Sequence, residues 1–212
     1  MSYDKNIHHR RSIRLKGYDY SRKGLYFITI CVQNRKNLFG YIESGKMILN
    51  DAGKMVEEWY DELENKYPDK KLHEMIVMPN HFHCIIENDP VATDAHDNVM
   101  GAHVGAPLRG RPDTNATDIV DPDTTVPPYG PDNKKYNATI GDAMDWFKTM
   151  TTNEYIRGVK SKNWERFNKK LWQRDYWEHI IRDHAEYERI ANYIVQNPAK
   201  WDNDKLNPGN NN

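Results

Sequence analysis

The run Met75-Ile76-Val77-Met78-Pro79-Asn80-His81-Phe82-His83-Cys84-Ile85-Ile86-Glu87 constrains the fold more than any other stretch of this chain. From His81 onward it reads as a strand, so His81 and His83, two residues apart, point to one face. Pro79-Asn80 interrupts the apolar run. A bulge in one long strand, or a tight turn between segments Leu72 to Val77 and His81 to Glu87, accounts for it equally well. Two neutral imidazoles held side by side can share a divalent cation, the usual means of polarising a phosphodiester. Two histidines in a half-buried strand can also be ordinary hydrogen-bonded residues, so the rest of the chain has to decide.

Elsewhere the local patterns are plain. Leu25 to Val32 (LYFITICV) is a strand rich in β-branched and aromatic residues. Residues 38–49 read as a short hairpin turning at Ser44-Gly45. Asn50 or Asp51 then opens a helix whose Met55, Val56, Trp59, Tyr60 and Leu63 recur at helical spacing until Tyr67-Pro68. Ala138 to Gly158 forms a second amphipathic helix that presents Lys148 and Arg157 on its polar side. Residues 184–197 make a third, with Ile190, Tyr193 and Ile194 on one face and Pro198 as the stop. This order suits an α+β fold, a ferredoxin-like or RRM-like antiparallel sheet with helices packed on one face, better than a doubly wound parallel sheet. No Gly-rich phosphate loop supports nucleotide hydrolysis.

Thirty Lys and Arg residues against thirty-one Asp and Glu give a nearly neutral chain, but the charges are segregated. Lys5, Arg10, Arg11, Arg14, Lys16, Arg22 and Lys23 crowd the first 23 residues, whereas Asp89, Asp94, Asp97, Asp113, Asp118, Asp121, Asp123 and Asp132 fall in one middle stretch. Without that stretch the chain is basic, as a phosphate-binding surface should be. The expected organisation is a basic N-terminal arm over 1–23, one catalytic domain over 24–201 interrupted by a flexible acidic insertion at 88–136, and a disordered tail over 202–212. Two cysteines, Cys31 and Cys84, both in apolar strand patterns, indicate neither a disulfide framework nor a thiolate zinc site. With no apolar run near the roughly 20 residues of a membrane span and no leader-like segment, a cytoplasmic protein is expected.

Tyr193 and Asn197, four apart on the last helix, share a face. A phenol is weakly nucleophilic at its ordinary pKa near ~10 and becomes useful when a metal withdraws charge from the phosphate that it attacks. An amide oxygen is a fair ligand for a hard cation. Tyr26, Tyr60, Tyr155, Tyr176 and Tyr187 compete for the nucleophile's role on spacing alone.

Three blocks in order, Met78-Pro79-Asn80-His81-Phe82-His83, then Leu171-Trp172-Gln173-Arg174-Asp175-Tyr176-Trp177-Glu178-His179, then Tyr193-Ile194-Val195-Gln196-Asn197-Pro198, resemble the REP-associated tyrosine transposases, relatives of the single-tyrosine insertion-sequence transposases. The basic residues ahead of the first strand and Tyr26-Phe27-Ile28-Thr29 are similar too, so the resemblance spans residues 8–201 apart from the insertion. It implies the HUH nuclease fold, with His81 and His83 as the His-hydrophobe-His metal motif, Asn197 as third ligand to Mg²⁺ or Mn²⁺, and Tyr193 as the nucleophile that becomes linked to a DNA 5′-phosphate. Related transposases often carry Gln four residues after the tyrosine; Gln196 is the fallback ligand, although a helix turns it away from Tyr193. His179 and Glu178 take structural or DNA-contacting roles.

The implied activity is a metal-dependent single-stranded DNA endonuclease and strand transferase, acting through a 5′-phosphotyrosine intermediate on hairpin or palindromic DNA. Arg10, Arg11, Arg14, Lys16, Arg22, Lys23 and Arg174 would meet phosphates, and Trp172, Tyr176 and Trp177 would stack unpaired bases. The expected partner is single-stranded or hairpin DNA, with no membrane, and the protein would act as a monomer or homodimer. The alternative is a non-catalytic or domesticated nucleic-acid-binding protein of RRM-like fold.

Overall fold

The computed structural model describes residues 20–90 and 134–210. Strand β1 (Gly24–Cys31) is followed by a hairpin of β2 (Gly40–Glu43) and β3 (Lys46–Leu49), helix α1 (Asp51–Lys66), strands β4 (Lys70–Met78) and β5 (His81–Asn88), helix α2 (Ile140–Ser161), strand β6 (Trp177–Ile181) and helix α3 (His184–Gln196). The main sheet is antiparallel in the order β4-β5-β1-β6. Its β-α-β-β-α-β sequence, β1-α1-β4-β5-α2-β6, is the ferredoxin-like arrangement, with the β2-β3 hairpin and α3 added.

Local chemistry sets the ends of these elements. Ser44 (φ 50°) and Gly45 (φ 73°) both take left-handed backbone, the two-residue turn that matches strand twist. The side chain of Asn50 accepts from Gly53 N at 2.9 Å and opens α1. Thr139 and Asp142 cap α2 reciprocally, and Asp183 Oδ1 accepts from Glu186 N at 2.8 Å to open α3.

At Pro79-Asn80 the chain turns tightly, because Met78 pairs with His81 and β4 runs back along β5. Of the two possibilities open in the sequence, the turn is realised. The turn is fastened to its neighbours: Pro79 O accepts from Leu38 N (2.9 Å) and Phe39 N (3.1 Å), and Asn80 O accepts from Val32 N (2.8 Å).

Alternation gives the sheet two distinct faces. Tyr26, Ile28 and Ile30 of β1 with Phe82, Cys84 and Ile86 of β5 point to one, where α1 and α2 contribute Val56, Tyr60, Leu63, Met144 and Phe147 to the main core. Phe27 and Ile85 point to the other and pack against Ile190, Ala191 and Ile194 of α3. The antiparallel α+β class is as expected, but helices on one face is true only of α1 and α2. The apolar stripe of α3 requires a surface of its own, and the second sheet face supplies it.

Two further expectations differ from the structure. Residues 202–210 are ordered rather than a disordered tail: 3-10 turns span Pro198–Asn203 and Pro208–Asn210, and the carbonyls of Lys205 and Leu206 accept from Arg35 and Asn80. Hydrogen bonds to the domain compensate here for a composition poor in apolar residues. Strand β6 begins inside the Leu171 to His179 block, where the sequence pattern does not predict a strand. Of the acidic insertion, residues 91–133 lie outside the described residues, as do Arg10, Arg11, Arg14 and Lys16 of the arm. The flanks of that segment meet at buried Asp69, whose Oδ2 accepts from Asn137 N and whose carbonyl accepts from Asp89 N, each at 2.8 Å.

Candidate active site

The β5 residues His81 and His83 lie on the α3 face of the sheet, opposite Cys31 and Thr29 of β1. Their rings are 4.6 Å apart between centroids, and both are buried. Burial disfavours the protonated ring, so His83 is pushed down to about 3 and His81 well below the usual histidine range, the latter helped by His83 and Arg35. Both imidazoles are therefore neutral at physiological pH and keep one lone pair each. Thr29 Oγ1 meets His83 Nδ1 at 2.7 Å and Asn80 Oδ1 meets His81 Nδ1 at 2.8 Å, so both Nε2 atoms remain for other partners.

Helix α3 crosses this face and brings Tyr193 to the histidines. The Tyr193 hydroxyl stands 3.4 Å from His83 Nε2, and its ring meets those of His83 and Phe27 edge-on, with centroids 5.3 and 6.0 Å away. Tyr193 is 40% exposed, so the phenol is open to a ligand on one side. Partial burial raises its pKa above the ordinary phenol value, the Asp204 carboxylate adds to this, and the Asn197 amide pulls the other way. Asn197, one turn on, is 1% exposed. Two buried atoms here, His81 Nε2 and Asn197 Oδ1, have no hydrogen-bond partner, although buried polar atoms are almost always paired.

This donor set fits a divalent cation. Two orphaned lone-pair atoms, joined by His83 Nε2, are what a ligand shell for an ion requires. Among the described residues no three His, Cys, Asp or Glu side chains converge on a metal position, so a cation held here relies on two imidazoles and an amide. Gln196 is exposed at the groove's edge.

A groove of about 1560 Å³ opens beside Tyr193, lined by Thr29 and His83 at its floor and by residues of β6, α3 and the C-terminal segment. Of the expected DNA-contacting residues, Arg174, Tyr176 and Trp177 line it. Trp177 is 40% exposed and stacks in parallel on His179, 5.7 Å between centroids, and His179 is itself held by Glu186 at 2.7 Å. Trp172 does not belong with them. It is 3% exposed in the main core, packs on Phe39 at 5.1 Å and donates its indole N–H to Thr151 Oγ1 at 2.8 Å, which leaves no ring face for a base. Lys23 pairs with Asp89 at 2.7 Å, near the Gly24–Asn88 end of the sheet. That is about 20 Å along the strand from Thr29, from the rise per residue.

Arg189, Lys200 and Lys205, not among the residues expected from the sequence, also line the groove. Arg189, four residues before Tyr193, was detectable by helical spacing. Lys148, expected on a solvated helix face, instead donates to the carbonyls of Gln173 (2.9 Å) and Arg174 (2.8 Å), holding the loop that presents Arg174.

No family model matches the chain. An uncharacterized protein of Haemophilus influenzae is 37% identical over 207 residues, 96% of each chain, and the two belong to one family. A second Haemophilus influenzae protein, provisionally named a REP-associated tyrosine transposase, is 23% identical over 185 residues, 86% of this chain and 74% of that one. In sequence the chain is similar to this provisionally named REP-associated tyrosine transposase. A solved REP-associated tyrosine transposase bound to a REP hairpin overlaps 88% of this chain and 74% of its own, with 16% identity and a TM-score of 0.49. Within this chain Tyr193 meets His83, His83 meets His81, and the Asn197 amide acts on the Tyr193 phenol.

Proposed function

We propose that the protein nicks and rejoins single-stranded DNA carried on a hairpin, with Tyr193 as nucleophile and His81, His83 and Asn197 as the cation site. One observation carries the reading: a half-exposed phenol stands 3.4 Å from a buried imidazole, with two unpartnered buried donor atoms on the neighbouring residues. The named Haemophilus relative supports the transposase-like reading of that chemistry.

When bound, the divalent cation draws charge from the scissile phosphate and makes it a better electrophile. Two imidazoles suit Mn²⁺ better than Mg²⁺, which prefers an all-oxygen shell. Tyr193, open to solvent on one side, gives its phenolic proton to water and attacks phosphorus in line. A new tyrosyl O–P bond forms, the bond from phosphorus to the 3′ oxygen breaks, and that oxygen leaves as a 3′-hydroxyl after taking a proton. The phosphotyrosine keeps the energy of the broken diester, so another 3′-hydroxyl can attack it and rejoin DNA without ATP. Arg174, Arg189, Lys200 and Lys205 supply positive charge along the groove, and the Trp177–His179 pair offers a face on which an unpaired base stacks.

The reading as a non-catalytic binder that uses an open sheet has less support. RNA-recognition modules stack bases on exposed sheet aromatics, whereas α3 covers this face and leaves Phe27 6% exposed.

The test is to incubate the protein with labelled single-stranded hairpin DNA and Mn²⁺, trap covalent complexes and map the modified residue. An adduct on Tyr193 is expected. Tyr193→Phe should lose the adduct while binding the oligonucleotide within a few-fold of wild type; an adduct that persists in this variant rejects the assignment.

A further inference from the structure

Asn80 is wholly buried in the turn between the strands that carry the site. Its Nδ2 donates to two main-chain carbonyls, Arg35 O at 3.1 Å and Leu206 O at 2.8 Å. Carbonyl oxygens only accept, so the nitrogen end of this amide has to face them. The oxygen end is then the atom that meets His81 Nδ1 at 2.8 Å. An amide oxygen also only accepts, so the bond exists only if Nδ1 carries the hydrogen. Above the ordinary histidine pKa near ~6.5 an imidazole holds a single proton. Nε2 is consequently the bare nitrogen, and it is the one that is buried with no partner.

We infer that Asn80 is a positioning residue that locks His81 as its Nδ1–H tautomer and so keeps the Nε2 lone pair turned into the site. The opposite tautomer would set two lone pairs against each other at 2.8 Å and leave an Nε2–H buried without an acceptor. The stacked ring of Trp201, 6.0 Å away, and the edge contact with His83 hold the imidazole plane while Asn80 selects the proton's place. Through the same amide, the loop after β1 and the C-terminal segment both bear on a histidine of the site. The tautomer follows from the hydrogen bonds alone; its purpose rests on the cation reading above. Partners that fix the tautomer of a ligating histidine typically change metal affinity by 10–100-fold when removed.

The experiment is a long-range proton–nitrogen correlation of the histidine side chains in metal-free, ¹⁵N-labelled full-length protein at about pH 8, with His81 assigned through His81→Gln. Wild type should show a protonated Nδ1 and a bare Nε2 at His81. Asn80→Ala should populate the Nε2–H form and weaken Mn²⁺ binding about 10–100-fold. Asn80→Ser, a milder truncation that also withdraws the Oδ1 acceptor from His81 Nδ1, should shift the tautomer and the Mn²⁺ affinity in the same direction. An Nε2–H signal in wild type overturns the inference, as does an unchanged pattern in folded Asn80→Ala. If Asn80→Ala does not fold, Asn80→Ser decides, and an unchanged Nδ1–H pattern in it refutes the role. The Nδ1–H pattern in a wild-type protein that binds no Mn²⁺ would support the tautomer lock and sink the cation reading instead.

Discussion

The hydroxyl of Tyr193 and Nε2 of His83 stand 3.4 Å apart, although 110 residues separate them in the chain. Helix α3 achieves this by burying Ile190, Ala191 and Ile194 against Phe27 and Ile85. The same apolar contacts that hold the helix on the sheet set the height of the phenol above the imidazoles.

Asn197 should matter to cation binding far more than to folding. Its Oδ1 is buried without a partner, an arrangement that contributes nothing to stability and costs desolvation. Asn197→Ala is expected to shift the unfolding free energy by no more than about 1 kcal/mol in chelator, and to weaken Mn²⁺ binding at least about tenfold. Calorimetric titration beside a urea melt checks both halves, and equal Mn²⁺ affinity would remove Asn197 from the ligand set.

The two tryptophans should behave oppositely. Trp172→Ala removes a core side chain and is expected to cost roughly 3–5 kcal/mol of stability. Trp177→Ala removes a half-open ring and should leave the fold intact while weakening single-strand binding by about 1–3 kcal/mol. Thermal melts and fluorescence anisotropy on the same oligonucleotide separate the two, and unchanged binding by Trp177→Ala would discount the platform.

Lys200 and Lys205 flank the groove. Each phosphate contact on a single strand contributes about 0.7 to the slope of log affinity against log salt. Lys200→Gln and Lys205→Gln are each expected to flatten that slope by about this amount without altering the rank order of sequences bound. A slope identical to wild type for both would move the phosphate track elsewhere.

Acid should destabilise the protein partly through the site. In the unfolded chain His83 binds a proton near ~6.5, whereas in the folded chain burial holds it down to about 3 and His81 well below its usual range. Between those values the unfolded state carries protons that the native state lacks, so this stability is complete above roughly pH 6.5 and is lost as pH falls. Each histidine raises the unfolding constant by up to about tenfold per pH unit in that window. Urea melts in chelator from about pH 7 to pH 5 should show this dependence, and His83→Gln should reduce it by one proton; an unaltered slope would mean that His83 is not held neutral by burial.

Much of the architecture is legible locally. The alternation through His81, Phe82 and His83, the aromatic and β-branched run of β1, the Asn50 cap and the Ser44-Gly45 turn each depend on a few neighbouring residues, and each stands where the sequence points. The same short-range rules put Tyr193 and Asn197 on one side of α3. No local rule distinguishes Trp172 from Trp177, five residues apart in one aromatic stretch; the first lies in the core under α2 and the second at the rim of the groove.

By itself, then, the sequence determined which residues alternate, which helices are amphipathic and which side chains could do chemistry, because backbone sterics and hydrophobic periodicity act over a few residues. Only the tertiary structure decided that α3 takes the second sheet face, that residues 202–210 are held against Arg35 and Asn80, and that His81 Nε2 and Asn197 Oδ1 are left without partners beside a phenol. Those outcomes depend on which distant surfaces bury one another and on where the hydrogen bonds left over can be satisfied, and neither is written in any single stretch of chain.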